Sequence, residues 1–187
     1  RYNSRVTSVD TDIQELIDEG VHVCIAAGNY YYLRDLSTGT DYNNICFADV
    51  YNFGNNTFSP SSFYYHRGGS PYDDEAFTVG NMSSSYTGGT ERKADSSECG
   101  PAVNIYAAGT NIISCTSTTN RFSDAVYYAD SNYRQTNISG TSMASPQVCG
   151  LGALYLQSNP ELTPAELRAM IINDSVKNQL NDTGAQS

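Results

Sequence analysis

Tryptophan is absent from the 187 residues, histidine occurs only twice, and ten basic residues stand against twenty acidic ones. Each shortage excludes something. A formal net charge of −10 lacks the basic surface needed to neutralise phosphates, which argues against nucleic-acid binding. No apolar run approaches the roughly 20 residues that a membrane-crossing helix needs. The start, Arg1-Tyr2-Asn3-Ser4, has neither an initiating methionine nor the apolar stretch of a signal peptide. The expectation from this start is an upstream segment that was removed or belongs to another molecule. The five cysteines, Cys24, Cys46, Cys99, Cys115 and Cys149, form no C-x-x-C pair and no zinc-type spacing. Cys24, inside Val21–Ile25, and Cys149, beside Val148, read as small buried hydrophobes. The other three leave room for a disulfide, and the compartment open. The densest carboxylate run, Asp73-Asp74-Glu75, lacks a diagnostic calcium-ligand spacing and reads as a solvated loop.

What is plentiful is tyrosine, fifteen in all, with runs at Tyr30-Tyr31-Tyr32 and Tyr64-Tyr65. Such residues give amphipathic contact area and serve as loop anchors, or line an interface or cleft. Apolar residues make up 39% of the chain, enough for a real core.

Ile13, Leu16 and Ile17 form one apolar stripe of a helix from about Thr11 to Glu19, capped by Asp10, Thr11 or Asp12 and closed by Gly20. The β-branched run Val21–Ile25 then reads as a buried strand. Helix, glycine and buried strand make half of a parallel α/β unit. Residues 30–72 read as long loops around one short strand, Asn44–Val50. Further strands are expected at Ala76–Gly80, Val103–Ala107, Ile112–Ser117 and Ala125–Tyr128, with a polar, glycine-rich stretch over 83–100. A helix follows Ser142, with Val148, Leu151, Leu154 and Tyr155 as apolar positions; Gly150 and Gly152 within it suggest close packing. The last helix opens with a capping box, Thr163, Pro164 and Glu166, and presents Leu167, Met170 and Ile171.

The strongest local signal is Gly140-Thr141-Ser142-Met143-Ala144-Ser145-Pro146. A serine at a loop-to-helix junction holds its hydroxyl outside the core, beside unpaired N–H groups and positive potential. Those are the ingredients of a nucleophile with an oxyanion donor; taken alone, they equally suit an ordinary N-cap. Together with Thr136-Asn137-Ile138-Ser139 before it, this segment resembles the nucleophile segment of the subtilisin-like serine proteases, the subtilases or peptidase family S8. The resemblance implies Ser142 as nucleophile. Gln147 stands where the family usually has histidine, at a position without a catalytic role. Ala26-Ala27-Gly28-Asn29 resembles the family's strand-end motif and implies that the Asn29 amide donates to the oxyanion. Ala76–Asn81, Val103–Ile112 and Leu162–Ile171 resemble further family segments in family order, with Ala108 where a proline is common.

The resemblance implies a doubly wound α/β fold, a mainly parallel sheet flanked by helices, incomplete here. Residues 1–187 are expected to be the C-terminal portion of a single catalytic domain with a tyrosine-rich insertion over about 30–72. The implied reaction is peptide-bond hydrolysis by acyl transfer. It needs a histidine as base and an aspartate to orient it, and in the family both precede the asparagine motif. His22 alternates with Val21 and Val23 and reads as a sheet histidine, and His66 lacks the family's histidine context. The expected partners are therefore an N-terminal protease portion carrying the Asp and His, as a separate chain or lost by deletion, and a peptide or protein substrate. On its own the chain is expected to be inactive. No cofactor is needed for the chemistry, and a structural calcium has no located site. A secreted location, or an extracellular or virion assembly, is preferred to a cytoplasmic one. The competing reading is a non-catalytic structural or interaction protein on a degenerate domain of this kind. An esterase is disfavoured, because Gly140-Thr141-Ser142-Met143-Ala144 lacks the final glycine of a Gly-x-Ser-x-Gly elbow.

Overall fold

The computed structural model describes residues 5–52, 57–84, 91–117, 119, 125–126 and 129–181. In chain order the elements are α1 (Thr7–Asp18), β1 (Cys24–Ala26), β2 (Ile45–Asn52), β3 (Thr57–Tyr65), β4 (Phe77–Met82), β5 (Glu91–Arg92), β6 (Ile105–Ala108), β7 (Ile112–Thr116), β8 (Ala125–Val126), β9 (Arg134–Ile138), α2 (Thr141–Ser158), α3 (Pro164–Asp174) and β10 (Leu180–Asn181). The central sheet is parallel, in the order β1-β4-β6. Ile25 lies opposite Thr78, and Val79 opposite Ile105.

Both faces of that sheet are covered, which is why its strands are largely apolar. Successive side chains of a strand point to opposite faces, and β1 divides accordingly. Ile25 packs with Ile17 and Ile13 of α1, whereas Cys24 packs with the cluster of Phe77, Val79, Ala144, Val148, Leu167 and Ile171 beneath α2 and α3. Each large side chain buried there contributes roughly 1.5–3 kcal/mol. The arrangement is an α/β fold with helices on both faces, as expected. Antiparallel pairs surround it: β2 with β3, and β7-β9-β8, while β10 pairs in parallel with β5.

The start of α1 departs from expectation. The helix begins at Thr7, and its N-cap position, Val6, makes no side-chain cap. Asp10 lies inside the first turn, where its carboxylate favours the helix N-terminus. It pairs with Arg5 at 2.7 Å and accepts the Tyr72 N–H at 2.9 Å. The neighbouring ion pair with Arg5 and the long-range hydrogen bond from Tyr72 thus hold the start that a side-chain cap was expected to fix. Leu16, assigned to the apolar stripe, is exposed.

The tyrosine-rich stretch is not all loop. β2 and β3 form an antiparallel hairpin, with a register shift between Ala48 and Asp49 and Pro60 opposite Asp49. Proline is tolerated in a strand at such a bulge because it has no N–H to offer the ladder. β9 was also not anticipated, since Arg134-Gln135-Thr136-Asn137-Ile138 is largely polar.

In α2, Val148 is buried, but Leu151 is exposed and Leu154 is 62% exposed. The two helix glycines differ. A Cβ on Gly152 would lie 3.3 Å from Leu167 Cδ2, a tight approach of α3, whereas one on Gly150 meets nothing within 4 Å. Close packing therefore explains Gly152 and not Gly150. The α3 capping box is formed as expected: the Glu166 N–H donates to Thr163 Oγ1 and the Thr163 N–H to Glu166 Oε2. Leu167 and Ile171 are buried, while Met170 faces out. Among the described residues no helix is long and apolar enough to cross a membrane.

Candidate active site

β1 ends at Ala26, and the chain continues through Ala27 and Gly28 to Asn29. α2 begins at Thr141, so Ser142 is the second residue of its first turn. These two ends meet through Thr141, which is fully buried. Asn29 Oδ1 accepts from the Thr141 N–H at 2.9 Å and from the Thr141 hydroxyl at 3.1 Å. The same hydroxyl accepts the Gly28 N–H at 3.1 Å. With its oxygen doubly engaged, the Asn29 amide has one orientation, and among the described residues Nδ2 has no hydrogen-bond partner.

β6 completes the clasp. The Gly140 N–H donates to Gly109 O at 2.8 Å. A Cβ on Gly109 would lie 2.6 Å from both Gly140 O and Asn81 Oδ1, so this approach of strand end to helix start requires glycine. Ser142 itself is exposed. Among the described residues no hydrogen bond engages its hydroxyl or its N–H. It borders a groove of about 590 Å³ lined by β7, by Thr136 and Ile138 of β9, and by Met143, Pro146 and Gln147 of α2. An exposed hydroxyl, a free helix N–H and an oriented amide N–H thus come together at one strand end and one helix start. That is what attack on a carbonyl and stabilisation of the resulting oxyanion require.

Neither histidine borders this groove. His66 is buried, and its Nδ1–H donates to Leu33 O at 3.0 Å. His22 lies in the chain leading into β1, and not inside the strand as expected; it lines an apolar groove of about 340 Å³ between β1, β4, α2 and α3. That groove is the more apolar of the two, but it holds neither Ser142 nor Asn29.

The cysteine expectations need correction. Cys149 is exposed and Cys24 half-buried. Burial, and then the neighbouring Cys149, push the Cys24 thiol up to about 12. Cys99 and Cys115 form no disulfide among the described residues; the Cys46 side chain lies outside them. At Asp73-Asp74-Glu75, Asp74 accepts from the Ser37 and Tyr72 hydroxyls, and Asp73 from the Glu75 N–H at 2.6 Å. Among the described residues no group of three or more His, Cys, Asp or Glu side chains could hold a metal ion.

Two polar side chains beside the site were not signalled by any motif. Both are buried: Glu98 lies against Gly28, and Arg34 donates to Ala27 O. Thr141, although inside the motif, gave no local sign that it joins Asn29 to α2.

A family model described as the subtilase family, Peptidase_S8, matches residues 1–186. The extracellular serine proteinase of Thermus sp. (strain Rt41A) is 29% identical over 97% of this chain and 32% of its own length. Alkaline serine exoprotease A of Vibrio alginolyticus is 30% identical over 94% of this chain and 24% of its own. A solved cold-adapted subtilisin-like serine proteinase superposes with a TM-score of 0.59 at 25% identity, covering 98% of this chain and 50% of that one. Sphericase, at 20% identity and a TM-score of 0.61, shares the fold over 49% of its length. The chain thus spans a third or less of these curated relatives and about half of the solved structures. With a parallel α/β core, a strand end and a helix start arranged around Asn29 and Ser142, and a family match over almost its whole length, the chain belongs to the subtilase family, peptidase family S8.

Proposed function

We propose that the chain is the part of a serine endopeptidase that carries the nucleophile and the oxyanion hole. The observation that carries this is the clamp of Thr141 on Asn29 beside the unengaged hydroxyl and N–H of Ser142. Ser142 Oγ attacks the scissile carbonyl. The developing oxyanion is met by Asn29 Nδ2 and the Ser142 N–H, both fixed before substrate arrives. Collapse of the tetrahedral species expels the amine and leaves an acyl-enzyme, which water then hydrolyses. A serine hydroxyl needs a base, and neither His22 nor His66 borders the Ser142 groove. The histidine and its orienting aspartate are assigned to an N-terminal portion of the same domain.

Two features support that assignment. The chain covers only half of the solved structures it resembles. β1 has a neighbour on one side alone among the described residues, and the apolar groove beside it, floored by Val23, Phe77, Val148 and Leu156, lies open. The unpaired edge of β1 offers backbone N–H and C=O groups to a further strand. Residues 1–187 are accordingly read as the C-terminal portion of one catalytic domain, active only with the rest. The relative described as extracellular supports a secreted setting, with peptides or proteins as substrate.

The test is to treat the full-length protein with a biotinylated fluorophosphonate and map the adduct by peptide mass. Adduct on Ser142, abolished in Asn29→Ala or strongly slowed, supports the assignment. Absence of adduct on a folded full-length protein that contains the histidine and aspartate favours a non-catalytic scaffold.

A further inference from the structure

A second, smaller cavity, of about 200 Å³, lies directly behind the strand end that leads into Asn29. Small residues make up most of its lining, among them Ala26, Ala27, Gly28, Ser70 and Pro71, and Tyr30 borders it too. Two charged residues border it, Glu98 and Arg34, only 4% and 3% exposed.

The Glu98 carboxyl lies against the Cα of Gly28. A Cβ at residue 28 would fall 2.3–2.7 Å from its carboxyl atoms, and Gly28 has a φ of +120°. The Glu98 backbone is pinned: its N–H donates to Gly28 O at 3.0 Å, and its carbonyl accepts from Ser97 Oγ at 3.0 Å. Yet no hydrogen bond reaches its carboxyl among the described residues. Arg34 does not supply one. Its Nη1 donates to Ala27 O at 2.8 Å, and its Nε and Nη2 are sealed in, without a partner among the described residues. Buried carboxyl groups are ordinarily satisfied, so a carboxyl held in place, unpartnered and facing a cavity calls for a donor from outside.

The position of the cavity says what that donor belongs to. Asn29 is the residue next to Gly28, and on the reading above its amide holds the oxygen of the scissile carbonyl. The side chain of the residue that owns that carbonyl starts one bond away, within reach of a cavity ending at Gly28. The cavity admits one extended side chain. Because the free nitrogens of Arg34 are sealed off, the charged group such a side chain meets is the Glu98 carboxyl.

We propose that this cavity receives the side chain on the acyl side of the scissile bond, and that Glu98 selects lysine or arginine there. The cation's N–H groups satisfy the carboxyl; an apolar side chain leaves it buried and unpaired, which is where discrimination comes from. The inference rests on the assignment of Ser142 and Asn29.

The experiment uses the full-length protein and matched fluorogenic tetrapeptides that differ only in Lys, Arg, Leu or Phe before the scissile bond. The readout is the ratio of kcat/KM for Lys or Arg to that for Leu or Phe. A general loss of activity in a variant does not mimic a change in this ratio. The wild type is expected to favour the basic peptides by at least about tenfold, Glu98→Gln to lose that preference, and Glu98→Asp to retain part of it. Benzamidine, a compact planar cation, is expected to inhibit wild-type cleavage of the Leu peptide competitively, which tests the site without any substitution. Fluorophosphonate labelling of Ser142 with no basic preference, no benzamidine inhibition, or a preference unchanged in Glu98→Gln overturns the pocket assignment and leaves the protease assignment standing. No labelling and no cleavage of any peptide overturns both.

Discussion

Asn29 Oδ1 accepts two hydrogen bonds from Thr141, at 2.9 Å from its N–H and 3.1 Å from its hydroxyl, and so ties the end of β1 to the start of α2. On the proposed assignment, the nucleophile segment thereby aims its own oxyanion donor. Asn29→Ala in the full-length protein is expected to lower kcat by about 10²–10³, the magnitude known from subtilisin itself when a side-chain oxyanion donor is removed. Thr141→Val keeps the backbone N–H but removes the hydroxyl, so a smaller fall is expected, about tenfold, with KM little changed. Steady-state kinetics on one peptide substrate check both; a Thr141→Val effect confined to KM contradicts the aiming role.

Glu98 makes stability depend on pH in an unusual direction. Burial raises its pKa from 4.5 to about 7, against the opposing pull of Arg34. Between those values the folded chain holds a proton that the unfolded chain has released, so the Glu98 contribution to stability is present below pH 4.5 and is lost as pH rises through 7. Glu98→Gln removes this dependence. Its stability relative to wild type is expected to improve by on the order of 3 kcal/mol between pH 4.5 and pH 8. Urea unfolding in a Ser142→Ala background, which prevents self-digestion, measures the difference; a pH-independent difference refutes it.

Gly150 is a stabilisation site. It lies within α2, it is exposed, and a Cβ there meets nothing within 4 Å. Gly150→Ala is expected to add about 0.5–1 kcal/mol through helix propensity and a less flexible unfolded chain. Denaturant midpoints decide it, and a loss of stability would mean that this face of α2 is covered in the full-length protein.

Thr163 closes the first turn of α3 by exchanging hydrogen bonds with Glu166. Thr163→Ala is expected to cost about 1 kcal/mol, read as a lower midpoint in the same unfolding assay, with the kcat/KM of the remaining folded enzyme unaffected.

The cysteines are expected to react in order of exposure and acidity. Cys115 is exposed, Cys99 is buried, and Cys24 has its thiol pushed up to about 12 by burial. Thiolate is the reactive form, so iodoacetamide at pH 8 should modify Cys115 well before Cys24 or Cys99, as followed by peptide mass. Early modification of Cys24 contradicts the packing of β1 under α2.

The elements legible in the sequence were those whose cause is local. Thr163-Pro164-Ala165-Glu166 carries its whole capping geometry within four residues, and α3 formed as written. Val23-Cys24-Ile25 alternates between two apolar surroundings, and β1 lies between two helices. The segments holding Ser142 and Asn29 announced themselves because small residues and glycine at a strand end or a helix start are a local pattern. β3 and β9 were hidden because their residues are polar or include proline, and they pair for reasons that lie in the partner strand. Leu151 and Leu154 show the converse: apolar residues at helical spacing whose exposure depends on what else packs against α2.

The sequence by itself determined the family segments, the α/β alternation and the two candidate groups of the site, since each is a property of a few neighbouring residues. Only the tertiary structure decided that Thr141 orients Asn29, that Glu98 lies against Gly28 with no hydrogen bond to its carboxyl among the described residues, and that neither histidine borders the Ser142 groove. Those facts depend on which strand ends the β1-β4-β6 order brings together, and hydrogen bonds between residues so far apart in the chain leave no periodicity to read.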